Sequence, residues 1–152
     1  MTTPCIGAAM ELRQCLASAP PFSMHPRSSD ANGLTRQIIG AAIEVHKDKG
    51  PGLVESIYEW CLVCELELQC LSTQTQRNVP IHYKGFVREE PLRFDILVEH
   101  CVLVEAKAVE RILPIHQAQL LSYMKLLNVP VGLLINFNVI RLRDGITRMN
   151  LP

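Results

Sequence analysis

Apolar residues recur at helical spacing in three stretches of the chain. From this pattern we predict three helices, at about residues 34–47, 53–69 and 115–127. The Gly50-Pro51-Gly52 run separates the first two helices and Pro130 ends the third, because glycine and proline both interrupt helices. The apolar face of the second helix is predicted to contain Leu53, Ile57, Cys61, Cys64 and Leu68.

Shorter apolar runs lie between and after the helices, and they predict five strands. These strands cover about residues 79–83, 93–98, 101–106, 131–135 and 139–142. The second and third strands flank Glu99-His100 and are predicted to form a hairpin. Both are almost continuously apolar, which is typical of central strands that are covered on both faces. The order α-α-β-β-β-α-β-β predicts an α/β domain with three layers around a mixed central sheet.

The first 33 residues differ from the rest of the chain. They contain four of the ten prolines and end in the polar run Ser28 to Gly33. We predict a leader over residues 1–33, poorly ordered or with one short helix, ahead of a single domain over residues 34–152. No basic region precedes an apolar run at the N-terminus, and no run reaches about 18 apolar residues. Neither a secretion signal nor a membrane span is therefore predicted, and a cytoplasmic location is expected.

Composition and charge narrow the classes of function. The chain is 48% hydrophobic and 20% charged, so it can bury a sizeable core. Fifteen Lys and Arg residues balance fifteen Asp and Glu residues, which excludes a histone-like polybasic binder of nucleic acid. A locally positive cleft on a neutral molecule is not excluded.

The chain contains one Cys-x-x-Cys pair, formed by Cys61 and Cys64. A metal site of this type needs a second pair at a defined spacing. Because both thiols lie on the apolar side of the predicted second helix, we interpret them as small core residues. No iron–sulfur cluster is expected.

Three charged residues interrupt the predicted central strands: Asp95 in one, and Glu105 and Lys107 near the end of the next. An isolated buried charge costs several kcal/mol, so such residues are normally paired or bound to a metal ion. If the hairpin turns at Glu99-His100, Asp95 lies opposite residue 104 or 105, with Cβ atoms about 4.5–5.5 Å apart. Glu105 and Lys107 share one face of their strand, because side chains alternate along it. The three groups are therefore predicted to converge.

Such a cluster suits a hard divalent cation, since Mg²⁺ binds one or two carboxylates and also accepts phosphate oxygens. A lysine beside the ion can orient water or stabilise developing negative charge. The spacing alone fits equally well with a strand-end salt bridge between Glu105 and Lys107. From the residues by themselves, both interpretations stay open.

Longer motifs resemble a known protein family. The run from Gly52 to Tyr58, with Glu55 between them, matches the signature of the GxxExxY family, and the similarity extends over about residues 34–149. Further matching runs are 38–46, 79–85, 94–99, 104–110, 114–123, 132–139 and 144–146. This family is a branch of the PD-(D/E)xK nuclease superfamily. The resemblance implies a restriction-endonuclease-like αβββαβ core and phosphodiester cleavage that depends on Mg²⁺, with Mn²⁺ as an alternative.

The resemblance also implies roles for single residues. Asp95 takes the place of the motif Asp, and Glu105-Ala106-Lys107 that of the (D/E)xK motif, with Lys107 as the catalytic lysine. Glu55 completes the catalytic set, and the implied metal ligands are Asp95, Glu105 and Glu55. Substrate-contacting or supporting roles fall to a Gln-xxx-Tyr pair on one helical face. That pair consists of Gln119 and Tyr123.

The implied partner is nucleic acid, with DNA weakly favoured over RNA, and a homodimer is left open. One alternative function is a catalytically inactive module of the same fold that binds nucleic acid or a protein. The acidic pair Glu89-Glu90, close to the expected path of nucleic acid, lends this alternative some weight. A second alternative is a structural protein whose charged strand residues form ion pairs only.

Overall fold

A computed structural model of the chain describes the backbone of residues 28–151 and the side chains of residues 31–151. Residues 1–27, which belong to the predicted leader, and residue 152 lie outside this range. The elements are α1 (Ser28–Lys49), α2 (Glu55–Leu68), β1 (Thr73–Tyr83), β2 (Phe86–Val98), β3 (Val102–Lys107), α3 (Pro114–Leu127), β4 (Val131–Asn136), a 3₁₀ turn (Leu142–Gly145) and β5 (Ile146–Asn150).

The five strands form one sheet in the order β1-β2-β3-β4-β5. β3 and β4 run parallel, while the other neighbouring strands run antiparallel. The predicted α/β class and mixed central sheet are confirmed. None of the helices between residues 28 and 151 combines the length and the apolar character that a membrane crossing needs.

Two apolar clusters cover the two faces of the sheet. One joins α1 and α2 to residues such as Val104 and Ile135, and the other joins α3 to Leu103 and Leu134. Every residue of β3 and β4 is buried. A strand that is buried on both faces needs apolar side chains at nearly every position, which explains the continuous apolar runs.

Helix α1 begins at Ser28, six residues earlier than predicted, so the predicted boundary at residue 34 falls inside it. The run from Ser28 to Gly33 has the composition of a linker. Ala31 is nevertheless only 1% exposed, and it accepts a hydrogen bond at its carbonyl from the Thr35 hydroxyl, at 2.7 Å. Tertiary packing therefore overrides the weak helix propensity of this segment.

The predicted buried face of α2 is wrong. The buried residues are Tyr58, Leu62 and Leu66, whereas Ile57 and Leu68 are 39% and 69% exposed. Both sets have helical spacing, so periodicity alone does not choose between them. The choice is made by the packing partners that the folded sheet offers.

The predicted strand at residues 139–142 is also wrong. Ile140 is 88% exposed, and the last strand is instead β5, which pairs with β4. The chain bends here because the Asn136 side chain bonds the backbone of Val109 and the N–H of Asn138. Gly145 then packs so close to the Asn136 carbonyl that a Cβ atom would collide with it.

β1 and β2 are both longer than the predicted strands at 79–83 and 93–98, and they form a hairpin that extends beyond the sheet. β2 pairs with β3 only over residues 96–98, while its pairing with β1 continues to the turn at Lys84-Gly85. Both turn residues have positive φ angles, 45° for Lys84 and 85° for Gly85. A glycine adopts such an angle without strain. The outer part of the hairpin is therefore a two-stranded ribbon.

Candidate functional site

Asp95 lies where β2 leaves the ribbon and joins β3. In the β2–β3 register Ile96 faces Val104, so the next step outward brings Asp95 alongside Glu105. The Oδ2 atom of Asp95 accepts a hydrogen bond from the Ala106 backbone N–H, at 2.7 Å. This bond fixes the carboxyl group against the end of β3.

Lys107 connects β3 to the start of α2. Its Nζ atom donates to Glu105 Oε1 at 2.8 Å and to Glu55 Oε1 at 3.2 Å. The Glu105 and Lys107 side chains are only 4% and 11% exposed, whereas Glu55 is 41% exposed. An ammonium group thus joins two carboxylates from two elements in a largely buried place.

The position of Glu55 depends on the loop before α2. The Tyr58 hydroxyl donates to the Gly50 carbonyl at 2.6 Å and accepts from the Leu53 N–H at 3.0 Å. The Tyr58 ring stacks on Phe137 with centroids 4.6 Å apart. This anchors the first turn of α2, where an acidic residue also suits the helix dipole.

Burial and mutual repulsion perturb the acidic groups. Burial, followed by the charge of Glu105, raises the pKa of Asp95 to about 7, although the Ala106 N–H and Lys107 act in the opposite direction. Burial tends to lower the pKa of Lys107, but the hydrogen bond and charge of Glu105 outweigh it and leave that pKa raised. Lys107 is therefore a charged donor at neutral pH.

One oxygen of this cluster lacks a hydrogen-bond partner. Glu105 Oε2 is buried and bonds to no group in the described part of the chain. A buried acceptor without a partner costs about 1–3 kcal/mol. A cation next to Asp95 and Glu105 would satisfy this oxygen, so the donor set fits a hard divalent ion.

Few protein side chains are available to coordinate such an ion. Among the residues that the structure describes, no three His, Cys, Asp or Glu side chains form a ready-made metal cluster. Mg²⁺ is compatible with this, because it often uses one or two carboxylates and keeps several waters.

A cavity of about 440 Å³ opens beside the two carboxylates. It is lined by Glu59, Thr75, Gln76, Arg93, Phe94, Asp95, Glu105, Gln119 and Tyr123. Of the residues singled out in the sequence, four line the cavity and two, Glu55 and Lys107, lie in the ion-pair network behind it. The structure thus brings the whole predicted set to one region.

Comparison with known proteins places this geometry in a family. The family model of the PD-(D/E)XK nuclease superfamily matches residues 32–149. The chain belongs to the PD-(D/E)XK nuclease superfamily. The mixed sheet flanked by helices agrees with the restriction-endonuclease-like fold expected from the sequence.

The comparison with solved structures supports the fold of this nuclease-superfamily chain. The crystal structure of SSO0001 is similar, with a TM-score of 0.52 and 16% sequence identity. The similarity covers 97% of this chain and 79% of that one, and it shows the fold alone. No curated protein matches the sequence.

Two cavity residues of this PD-(D/E)XK chain escaped the sequence reasoning, namely Glu59 and Arg93. Glu59 lies one turn after Glu55, and burial, with the charges of Glu55 and Glu105, raises the pKa of its carboxyl. Its i+4 spacing from Glu55 was an available signal. Arg93 precedes Asp95 by two positions, but the pairing of β2 is irregular here, so the alternation of a regular strand does not predict its position.

Proposed function

We propose that this protein is a metal-dependent nuclease that hydrolyses phosphodiester bonds of nucleic acid. The observation that carries the proposal is Glu105, a buried carboxylate beside Asp95 that binds Lys107 through one oxygen and whose other oxygen has no partner among the described residues. A purely stabilising ion pair would satisfy both oxygens. The arrangement is instead that of a site prepared for a cation.

Asp95 and Glu105 are the residues that would hold the ion, with Glu55 as a third acidic group nearby. Mg²⁺ is the expected ion and Mn²⁺ the alternative, because both accept carboxylate and phosphate oxygens. When bound, such an ion lowers the pKa of a water molecule and offsets charge on the phosphodiester.

The protein groups have separate tasks in this proposal. Lys107 holds Glu105 in one orientation and, as a charged donor, stabilises the negative charge that develops at the phosphorus-bound oxygens. Glu55 holds Lys107 from the side of α2. Gln119 and Tyr123, which line the cavity, would contact the nucleic acid.

We also infer that the chain belongs to the GxxExxY branch, because each lettered residue of that signature has a task at the site. Gly52 has a φ of 99°, which favours glycine. Tyr58 anchors the loop through its hydroxyl, and Glu55 bonds Lys107. The signature therefore describes how α2 delivers a carboxylate to the end of β3.

A catalytically inactive module that binds nucleic acid or a protein is the second candidate. The observation in its favour is that the Lys107 ammonium group is already bonded to both Glu105 and Glu55, so it is occupied by protein partners. The two candidates differ in one measurable property, which is hydrolysis.

The test uses labelled DNA and RNA, single-stranded and duplex, incubated with the full chain in Mg²⁺ or Mn²⁺. We expect cleavage by the wild type and none by Glu105→Gln, which keeps the size of the side chain and removes its charge. Glu67→Gln is the matched control, because Glu67 is an exposed carboxylate on the outside of α2. Cation binding by the wild type with no cleavage of any substrate would favour the inactive module.

A further inference from the structure

We propose that Arg93 is a substrate-binding residue that holds a phosphate group of the nucleic acid next to the Asp95–Glu105 pair. This inference rests on the proposed nuclease function and deepens it, because it names a residue that binds a phosphate group of the nucleic-acid backbone. Arg93 is not part of the carboxylate–lysine cluster. It comes from the base of the β1–β2 ribbon.

An irregularity in the sheet directs this residue into the cavity. Gln74 pairs with Leu97, but Gln76 pairs with Arg93, so three residues of β2 face Thr75 alone. Regular strands alternate their side chains between two faces, whereas a bulge redirects them. As a result, the consecutive residues Arg93, Phe94 and Asp95 all line the same cavity.

The charge of Arg93 is not used within the described part of the chain. No carboxylate there forms an ion pair with it, although Arg88 on the same ribbon is paired with Glu90. Within residues 31–151, Arg93 is therefore a cation at the cavity without a counter-ion.

The cavity needs such a cation to accept nucleic acid. Three carboxylates line it, from Glu59, Asp95 and Glu105, and they repel a phosphodiester. Among the lining residues that the structure describes, Arg93 alone carries a fixed positive charge. A guanidinium presents a planar fork of N–H donors that matches two phosphate oxygens. The volume of 440 Å³ lies within the range of about 300–1,000 Å³ that is usual for ligand sites.

The test measures DNA binding without cleavage, by fluorescence anisotropy of a fluorescein-labelled oligonucleotide in Ca²⁺. We expect Arg93→Gln to weaken binding by about tenfold and to reduce the salt slope by about one, as the loss of one phosphate contact does. Arg93→Lys should keep the salt slope and lose only part of the affinity, because the charge remains and the fork is lost. The matched control is Arg88→Gln, which should bind within about twofold of the wild type because Arg88 is already paired and exposed.

A second measurement locates the contact on the DNA. Oligonucleotides with a single neutral methylphosphonate linkage, placed at successive positions, should show one position that weakens wild-type binding. At that position the modification should have no further effect on Arg93→Gln, because the two changes remove the same contact.

The outcomes separate this inference from the proposed function. Cleavage by the wild type, with Arg93→Gln binding and cleaving as well as Arg88→Gln does, overturns the role of Arg93 and leaves the nuclease in place. A wild type that neither binds nor cleaves overturns both proposals. Loss of binding confined to Arg93→Gln and the matching methylphosphonate supports both the residue and its role.

Discussion

Two carboxylate–cation pairs lie in neighbouring parts of the sheet, and their surroundings differ sharply. Lys107 and Glu105 are 2.8 Å apart, with side chains only 11% and 4% exposed. Arg88 and Glu90 lie on the outer ribbon, with side chains 77% and 39% exposed. An exposed pair contributes about 0–1 kcal/mol, whereas removing one partner of a buried pair costs about 3–5 kcal/mol.

This contrast indicates that the buried pair does not serve stability alone. Apolar side chains of similar volume often stabilise a core as well as a buried ion pair does. The buried pair also leaves Glu105 Oε2 without a partner in the described part of the chain, which is a further cost. A site for a cation accounts for both features, and the exposed pair on the ribbon needs no such account.

The largest effect that we expect is on catalysis. Lys107→Ala should lower the single-turnover cleavage rate by about 10²–10³-fold, because it removes a preorganised charged donor from the site. Arg88→Ala should change this rate by less than about twofold, since an exposed pair outside the cavity contributes little. Rapid quenching of labelled substrate measures both rates. A Lys107→Ala rate within about threefold of the wild type would remove Lys107 from the proposed mechanism.

The next largest effect concerns how much each of the two pairs contributes to the free energy of unfolding of the protein. Lys107→Ala should destabilise the protein by about 3 kcal/mol at pH 8, because it leaves the Glu105 carboxylate buried without its counter-charge. Arg88→Ala should cost less than about 0.5 kcal/mol. Urea denaturation followed by circular dichroism measures both values. Lys107→Met, which keeps most of the side-chain volume, separates the loss of charge from the loss of packing.

Equal destabilisation by Lys107→Ala and Arg88→Ala would contradict the expected difference between the buried and the exposed pair. It would mean that the interior around Glu105 is solvated well enough to hold a lone carboxylate.

The third prediction concerns pH and follows from Asp95, whose pKa is raised from 3.8 to about 7 in the folded protein. The folded state then binds more protons than the unfolded state between these values, so stability falls as pH rises through this window. We expect a loss of about 2 kcal/mol between pH 5 and pH 8 without metal, after allowance for partial exposure. Asp95→Asn should remove this dependence.

Divalent cations provide a second test of the role of the Asp95 carboxyl group. Saturating Mg²⁺ should flatten the pH dependence of the wild type, because the ion binds the ionised carboxylates and replaces the bound proton. Thermal unfolding between pH 5 and pH 8, with and without Mg²⁺, measures this. A pH profile that Mg²⁺ does not change would favour the interpretation of the cluster as a set of ion pairs only.

The sequence predicted the parts of the site that depend on local periodicity. Glu105 and Lys107 share a face because side chains alternate along a strand. Asp95 meets Glu105 because a short turn at Glu99-His100 sets the hairpin register. Both relations hold within one strand or one tight hairpin, so few residues determine them.

The parts that the sequence did not predict depend on contacts between distant segments. Helix α2 carries two apolar stripes, and the packing of Tyr58, Leu62 and Leu66 against the sheet selects the buried one. The bulge opposite Thr75 brings Arg93 to the cavity, and no local sequence pattern predicts this bulge. The last strand lies at Ile146–Asn150 because the bend after Asn136 is fixed by hydrogen bonds to Val109. Periodicity carries no information on such contacts.

The smallest effect that we expect tests how α2 positions Glu55. Tyr58→Phe keeps the ring on Phe137 and removes the hydrogen bonds to Gly50 and Leu53. We expect a loss of stability of about 1 kcal/mol, the usual net contribution of such hydrogen bonds. Because the loop before Glu55 loosens, kcat should fall by about threefold while KM stays the same. Thermal unfolding and steady-state kinetics measure these two effects.

The size of the kinetic effect decides what Tyr58 does. Tyr58 acts on the site only through the loop and Glu55, so its loss should be much smaller than that of Lys107→Ala. A loss in Tyr58→Phe as large as in Lys107→Ala would mean that the hydroxyl takes part in the chemistry. An unchanged kcat with the expected loss of stability would show that the bond to Lys107 holds Glu55 in place without the Tyr58 hydroxyl.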